Sequence, residues 1–554
     1  MVPMSRSIRG PQAGARPHTP LDSLAASHAR KTAGPRRSKA ISPPMERSRI
    51  ANRAAGGSSL GGRRGAPERF GGPRVPVRRR RSDGGGAREY KDAMSPHSFT
   101  PPPTLAVLLE LLRALGAVLL LPGRIGAYLL RRGALRAELA ADLEREVTPE
   151  TVPAGDWPTD RPLTLFVACA EASGEIHALS LVEAVRALAA AAGAPPPRLV
   201  GLGGRELEAL GVELVGRPVE HAAMGLTSAL SSLPYYLGLA RDAAAWFRTQ
   251  RPDAFVPVDS PALFVPLARI ARRYGVPTAH FVTPQYWGWA PWRAKAYRQA
   301  VERALSILPF EPPWFARRGI SVTHVGHPLL DALPPPAAHD EGQRNLLVLL
   351  PGSREAVIRR NLPWMAEVVR AARAQLGGLE VAVCQESGER TELLCELLAE
   401  HGLDDGFRLQ TGSLHETLAR ARAAFSVSGT VLLDLLHQRV PTVVVYRVSR
   451  RTAFLGRRLL TAPWFSSVNL LARAEVYPEF CFAGDGPRAE VGAALVRAAV
   501  DEQWRRDCLT GLEEAARRLG PPGAAERAAQ AVLAMVGRDA RAPAGRGRVS
   551  EASA

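Results

Sequence analysis

NLLVLLPGSR, Asn345–Arg354, decides the fold class. Five consecutive large apolar residues are too few for a free-standing helix and read as a strand covered on both faces, as in a parallel sheet. Pro351 and Gly352 end the run, and a helical segment opens directly behind it. Backbone amides and the Arg354 guanidinium therefore meet at one strand-to-helix turn, which is an anion site.

Outward from this turn the same pattern repeats. LEVAVC (Leu379–Cys384), ARAAFSVSG (Ala421–Gly429) and PTVVVY (Pro441–Tyr446) follow it. Ahead of the Pro- and charge-rich stretch ALPPPAAHDEGQ (Ala332–Gln343) stand LTLFVACA (Leu163–Ala170), RLVGLGG (Arg198–Gly204), DAFVPVD (Asp253–Asp259), AHFVTP (Ala279–Pro284) and ALSILPF (Ala304–Phe310). Short apolar runs alternating with helix-length segments predict an α/β protein with two Rossmann-like, doubly wound parallel-sheet domains. The expected spans are 155–331 and 344–515, joined by a linker at 332–343, with ligand at the carboxyl ends of the strands and in the cleft between the halves. A C-terminal helix is expected over 516–536 and a loose tail over 537–554.

The chain has 554 residues and five cysteines without CxxC spacing, which excludes a disulfide-stapled scaffold and points to a reducing compartment. Its net charge of +19 sits in a tail: residues 1–100 hold 21 Lys and Arg against 6 Asp and Glu, leaving 51 against 47 for the rest. The globular part is nearly neutral, so it is not expected to bind nucleic acid. The tail itself is expected to be disordered, as a tether, a transit peptide, or an inert extension ahead of Met94. Within 101–150, TLAVLLELLRALGAVLLL (Thr104–Leu121) approaches the length of a bilayer span, but Glu110 and Arg113 interrupt it and arginines follow at once. It is read as a helix lying in a membrane interface, or else as a core helix of the first domain.

Chemistry concentrates at strand ends. Ser353 and Arg354 form the first anion-receptive turn, and Ser428, Gly429 and Thr430 form a second, with Asp434 one helical turn further in. Two such turns in one sheet suit a diphosphate, and the acid suits ribose hydroxyls. Asp259 ends a strand as a candidate general base toward a sugar hydroxyl, or as a helix cap. Ser173, Gly174, Glu175 and His177 mark another junction, where Glu175 is equally readable as a cap. TPQYWGWAPWR (Thr283–Arg293) gathers Gln285, Tyr286, Trp287, Trp289 and Trp292 into a floor for a sugar or acyl pocket, or into a core plug. GLGG (Gly201–Gly204) lacks the full dinucleotide fingerprint and is read as a tight turn without a nicotinamide.

In order, EASGE (Glu171–Glu175), GLGG, MGL (Met224–Leu226), PDAFVPVDSP (Pro252–Pro261), TPQYWGW, LPFE (Leu308–Glu311), VGHPLLD (Val325–Asp331), LLPGSR, SGTVLLD (Ser428–Asp434) and SVNLLA (Ser467–Ala472) resemble the lipid-A-disaccharide synthase family. These are inverting glycosyltransferases of the two-Rossmann GT-B type. The resemblance implies transfer of 2,3-diacylglucosamine from UDP to 2,3-diacylglucosamine 1-phosphate (lipid X), without cofactor or metal, at the cytoplasmic face of the inner membrane, with a homodimer among the possible assemblies. It further implies Asp259 as base, a UDP site at Ser353, Arg354, Ser428–Thr430, Asp434, Asn469 and Glu479, and an acceptor side that includes Ser173–Glu175, Met224, Gln285 and Trp287. Departures touch the motifs themselves: Ala170 stands where Gly is usual, Glu175 for Asp, Val357 for Glu and Asp434 for Glu. A UDP-N-acetylglucosamine 2-epimerase, another UDP-hexosamine transferase and a non-catalytic lipid-binding relative are the competing readings.

Overall fold

The computed structural model describes residues 100–153, 161–223, 232–336, 344–385, 390–402 and 406–540. The expectations for the basic tail and for Met224 lie outside the described residues, as do those for most of the linker.

The strands are β1 (Thr164–Ala168), β2 (Arg198–Leu202), β3 (Glu213–Gly216), β4 (Ala254–Pro257), β5 (Ala279–Phe281), β6 (Arg303–Ser306) and β7 (Val322–His324), then β8 (Leu346–Leu350), β9 (Glu380–Gln385), β10 (Phe407–Thr411), β11 (Ala421–Val427), β12 (Thr442–Arg447) and β13 (Glu479–Phe482). The helices that bear on the site are α1 (Pro103–Leu119), α2 (Leu121–Leu143), α3 (Ala172–Ala191), α4 (Leu233–Gln250), α5 (Pro261–Arg273), α6 (Glu355–Ala372), α7 (Val431–His437), α8 (Arg450–Leu459), α9 (Ser467–Ala472), α10 (Arg488–Val500), α11 (Glu502–Leu519) and α12 (Ala524–Ala540).

The rear sheet runs β10-β9-β8-β11-β12-β13 and every pair in it is parallel. Counted within that lobe this is the order 3-2-1-4-5-6 of a nucleotide-binding sheet, whose reversal point lies between β8 and β11. The front lobe repeats it. β3-β2-β1-β4 and β5-β6-β7 are joined by parallel bridges Phe255↔Thr278 and Val258↔Phe281, so its reversal point lies between β1 and β4. All five residues of β8 are buried, as its unbroken apolar run requires.

Of the GLGG segment, Gly201 and Leu202 end β2, and Gly203 and Gly204 make the turn behind it. Gly201 is paired with Val167 inside the sheet, where a Cβ would stand 1.6 Å from the Val167 carbonyl oxygen. At Gly204 a Cβ would stand 2.5 Å from the Glu175 carboxylate. These glycines permit the close approach of Val167 and Glu175.

The chain end also differs from expectation. α11 runs on to Leu519, Gly520–Gly523 breaks it at two prolines and two left-handed glycines, and the final helix occupies 524–540 instead of 516–536. That helix, α12, packs back across the front lobe on α3. Asp331 clasps its start by accepting from the amides of Gly523, Ala524 and Ala525 at 2.6, 3.1 and 2.8 Å. The VGHPLLD motif thus ties the two lobes by capping a helix.

The apolar segment Thr104–Leu121 forms one helix, α1, which ends at Leu119, and α2 leaves it at a bend of 55°. No single described helix is long and apolar enough to cross a membrane.

Candidate active site

Each reversal point builds half of the site. In the rear lobe Ser426 pairs with Leu350, so the turns leaving β11 and β8 emerge side by side. Gly352 has φ +116°, and a Cβ there would meet Val357 Cγ1 at 2.7 Å, so only glycine makes this turn without strain. Arg354 and Thr430 occupy the N-cap positions of α6 and α7, and neither cap uses a side-chain hydrogen bond. Ser353, Arg354, Ser428, Gly429 and Thr430 are all exposed, and a Cβ on Gly429 would enter open space. Two helix N-termini with amides free of side-chain caps thus share one edge of the sheet, and Asp434 lies half-buried on α7.

In the front lobe Ala168 pairs with Pro257, which sets the turn leaving β1 beside the turn leaving β4. Asp259 (φ 55°) and Ser260 (φ 44°) are consecutive left-handed non-glycine residues. Such strain persists only where the surroundings fix it. Here the Asp259 amide donates to Phe281 O at 2.9 Å, and His280 Nε2 contacts Asp259 O at 2.9 Å. The carboxyl is half-buried, and burial raises its pKa above the usual range. The Glu171 charge adds to that rise, while the Ser260 amide opposes it.

The halves face one another. Arg354 Nη2 of the rear lobe reaches Glu171 Oε2 of the front lobe at 3.1 Å. Both side chains are largely exposed, so the pair is weak and readily exchanged for a stronger anion.

Several residues expected to touch substrate are instead internal supports. Glu175 is buried, and its Oε1 accepts from the amides of Gly204 and Leu207 at 2.8 and 3.1 Å, clasping the turn after β1 to the turn after β2. Asn469 is fully buried, with Nδ2 donating to Tyr477 O and Glu479 Oε1 and with Oδ1 accepting the Tyr477 amide, each at 2.8 Å. Glu479 also takes the amides of Phe465 and Ser466. This pair shapes the backbone before α9 from within. Trp287 is 3% exposed and donates to Glu311, whose carboxylate also receives Thr283 Oγ1 and the amides of Ile307 and Leu308. It is a core plug. Of that loop Gln285, Trp289 and Arg293 are exposed, Trp289 beneath Arg293. Ser173 is half-buried and Gly174 is buried, a Cβ on it falling 3.5 Å from Val258 O.

Sequence reasoning missed Glu171, although it begins the EASGE motif, and also His280 and Glu311. The available signals were a histidine inside an apolar strand and an acid after LPF. His177 is buried against His327, ring centroids 6.1 Å apart.

These buried groups predict a pH response. Burial pushes His177, His280 and His324 down to about 4 and His327 to about 3, whereas it lifts Glu311 and Glu479 to about 7. The neutral imidazoles contribute stability that is present above pH ~6.5 and lost as pH falls through their folded values. The carboxyls contribute in the opposite sense, with stability present below pH ~4.5 and lost as pH rises through 7. Between these limits these four imidazoles outweigh these two carboxyls by two protons, so on their account unfolding takes up protons and acidification destabilises by up to about 3 kcal/mol per pH unit. Calorimetry from pH 6.5 to 4.5 is expected to show a falling Tm; a rising one would mean that the carboxyls dominate.

Among the described residues no group of three or more His, Cys, Asp or Glu is placed to hold a metal.

A family model described as lipid-A-disaccharide synthetase matches residues 165–530. The lipid-A-disaccharide synthase of Myxococcus xanthus is 34% identical over 383 residues, covering 68% of this chain and 98% of that protein. That of Syntrophus aciditrophicus is 32% identical over the same shares. Among solved structures, the calicheamicin glycosyltransferase CalG4 is similar with a TM-score of 0.44 at 17% identity, covering 69% of this chain and 100% of that one.

Proposed function

The chain belongs to the lipid-A-disaccharide synthase family, and from that premise we propose that it joins two acylated glucosamines at a membrane surface. The donor is UDP-2,3-diacylglucosamine and the acceptor is 2,3-diacylglucosamine 1-phosphate. The acceptor 6-hydroxyl attacks the donor anomeric carbon from the face opposite the diphosphate. As the new C–O bond forms, the anomeric bond to the diphosphate breaks, UDP leaves with the electron pair, and the hydroxyl proton passes to Asp259. The product is the β-1,6-linked disaccharide phosphate.

The observation that carries this reading is the confrontation of the two reversal points across the Arg354–Glu171 contact. On one side stands a carboxylate made more basic by burial, fixed in a strained turn. On the other stand two helix N-termini and a guanidinium, the donors that a departing diphosphate needs in place of a cation. His280 acts as a positioning residue for the Asp259 backbone. Asn469 and Glu479 position the segment before α9 from within the protein. Asp434 is assigned to the ribose.

The test is an assay of the purified full chain with synthetic UDP-2,3-diacylglucosamine and lipid X, following UDP release with and without EDTA. Turnover is expected with both acylated sugars and is expected to survive EDTA. Efficient turnover of UDP-N-acetylglucosamine lacking long acyl chains would replace this reading by an epimerase or a transferase of soluble sugars. Binding of acyl-sugar without any release of UDP would replace it by a lipid-binding role.

A further inference from the structure

α1 and α2 precede the region shared with the family, and they carry the largest group of exposed apolar side chains among the described residues. Leu108, Leu112, Leu115 and Leu119 recur at helical spacing as one stripe, exposed by 48, 54, 54 and 81%. At the elbow Leu120 adds 61%, and beyond it Leu130 adds 90%. The opposite face of α1 is committed to the protein. Ala106 and Glu110 are buried, and Glu110 receives Arg269 Nε at 2.7 Å and Arg273 Nη2 at 3.0 Å from α5. The acid that interrupts the apolar run is thus turned inward and neutralised, while Arg113, paired with it at 2.6 Å, stays exposed.

Between Pro101 and Ala137 Glu110 is the only acid, while Arg124 and Arg131 are exposed just past the elbow. A recess of about 460 Å³ opens there, lined in part by Arg124, Tyr128, Arg131 and Trp292, and by Glu138 paired with Arg317 and Arg318. The rear lobe extends the same surface. The Tyr128 hydroxyl donates to Leu459 O at 2.7 Å, which sets the end of α8 against α2. α8 contains no acid and exposes Phe454 and Leu455 among Arg450, Arg451 and Arg458.

We infer that the α1–α2 elbow and α8 form one docking surface for an anionic bilayer. The leucine stripe lies in the acyl boundary and the arginines lie on lipid phosphates. The charge pattern selects this occupant: a second copy docked face to face would set arginines against arginines. The anchoring of Glu110 to α5 selects lying on the surface over crossing it. The inference rests on the reading of acylated substrates only for its purpose. Vesicle binding needs neither substrate, so its outcome is separate from the turnover assay.

Flotation of the full chain with phosphatidylcholine vesicles, with and without phosphatidylglycerol, tests it. Binding is expected to the anionic vesicles and to weaken with salt. The triple variant Leu112→Glu, Leu115→Glu, Leu119→Glu is expected to lose more than about a hundredfold in affinity. Arg124→Ser with Arg131→Ser is expected to lose roughly fivefold per arginine on anionic vesicles only. Turnover of detergent-dispersed substrates by the triple variant should equal that of the unaltered protein, showing that the fold is intact. If the triple variant floats as well as the unaltered chain, the surface is not the dock, whatever other segment holds the vesicle. A concentration-dependent dimer that the triple substitution abolishes would assign the stripe to a second copy and overturn the proposal.

Discussion

Asp259→Asn is expected to slow turnover by at least about 10²-fold while UDP affinity stays within a factor of two. Asparagine suits this test because it tolerates the left-handed conformation that Asp259 adopts at φ 55°. The strained turn, its amide bond to Phe281 and its contact with His280 therefore survive, and only the proton acceptor is lost. The pH profile separates this role from a structural one. A base must be ionised to act, so kcat/KM should rise with pH up to a plateau above the folded pKa. Burial raises that pKa and the charge of Glu171 adds to the rise, which moves the limb above the range of an ordinary aspartate. The limb should vanish in Asp259→Asn, and Glu171→Gln should shift it downward because one like charge is gone. An asparagine variant that keeps both full turnover and the limb would remove Asp259 from the mechanism.

The sheets show what a sequence can reveal. Every strand read from it is interior to its sheet: β1, β2, β4, β5 and β6 in front, β8, β9, β11 and β12 behind. The four that escaped are β3, β7, β10 and β13, and these are the sheet edges. An interior parallel strand is covered on both faces and must be apolar throughout, whereas an edge strand such as FRLQT meets solvent and carries its polar residues openly. The inward face of the apolar segment was hidden for a related reason. Leucine serves a helix, a bend and a membrane face alike, and only the partners of Glu110 reveal which side is inside.

At the site, the strand-to-helix turns were legible because glycine, proline and small polar residues there have few other uses. The roles of Glu175, Asn469, Glu479 and Trp287 were not. A carboxylate that accepts two backbone amides inside the protein has the same side chain as one that accepts a ribose hydroxyl, and only burial separates them. Glu171 was hidden in the opposite way. Its partner lies 183 residues further along the chain, and no local pattern marks a contact made across a cleft.

Arg354→Ala is expected to lower kcat/KM by about 10³-fold and to weaken UDP binding, with Tm almost unchanged. Stability is spared because the side chain is 76% exposed and its ion-pair partner, Glu171, is 50% exposed; such pairs contribute about 0–1 kcal/mol. Function is not spared. On the proposed reading, the second negative charge that develops on the departing diphosphate is met by amide dipoles and this guanidinium. The contact acts on the bound donor as well as on the transition state, so affinity and rate should fall together. Arg354→Lys is expected to recover the affinity better than the rate, because an ammonium restores charge without the planar fork that grips two oxygens. Donor binding must also draw Arg354 off Glu171, so Glu171→Gln should tighten UDP modestly, an effect that disappears in the Arg354→Ala background. A change confined to the acceptor constant in Arg354→Ala would place this arginine in the other substrate's half of the cleft.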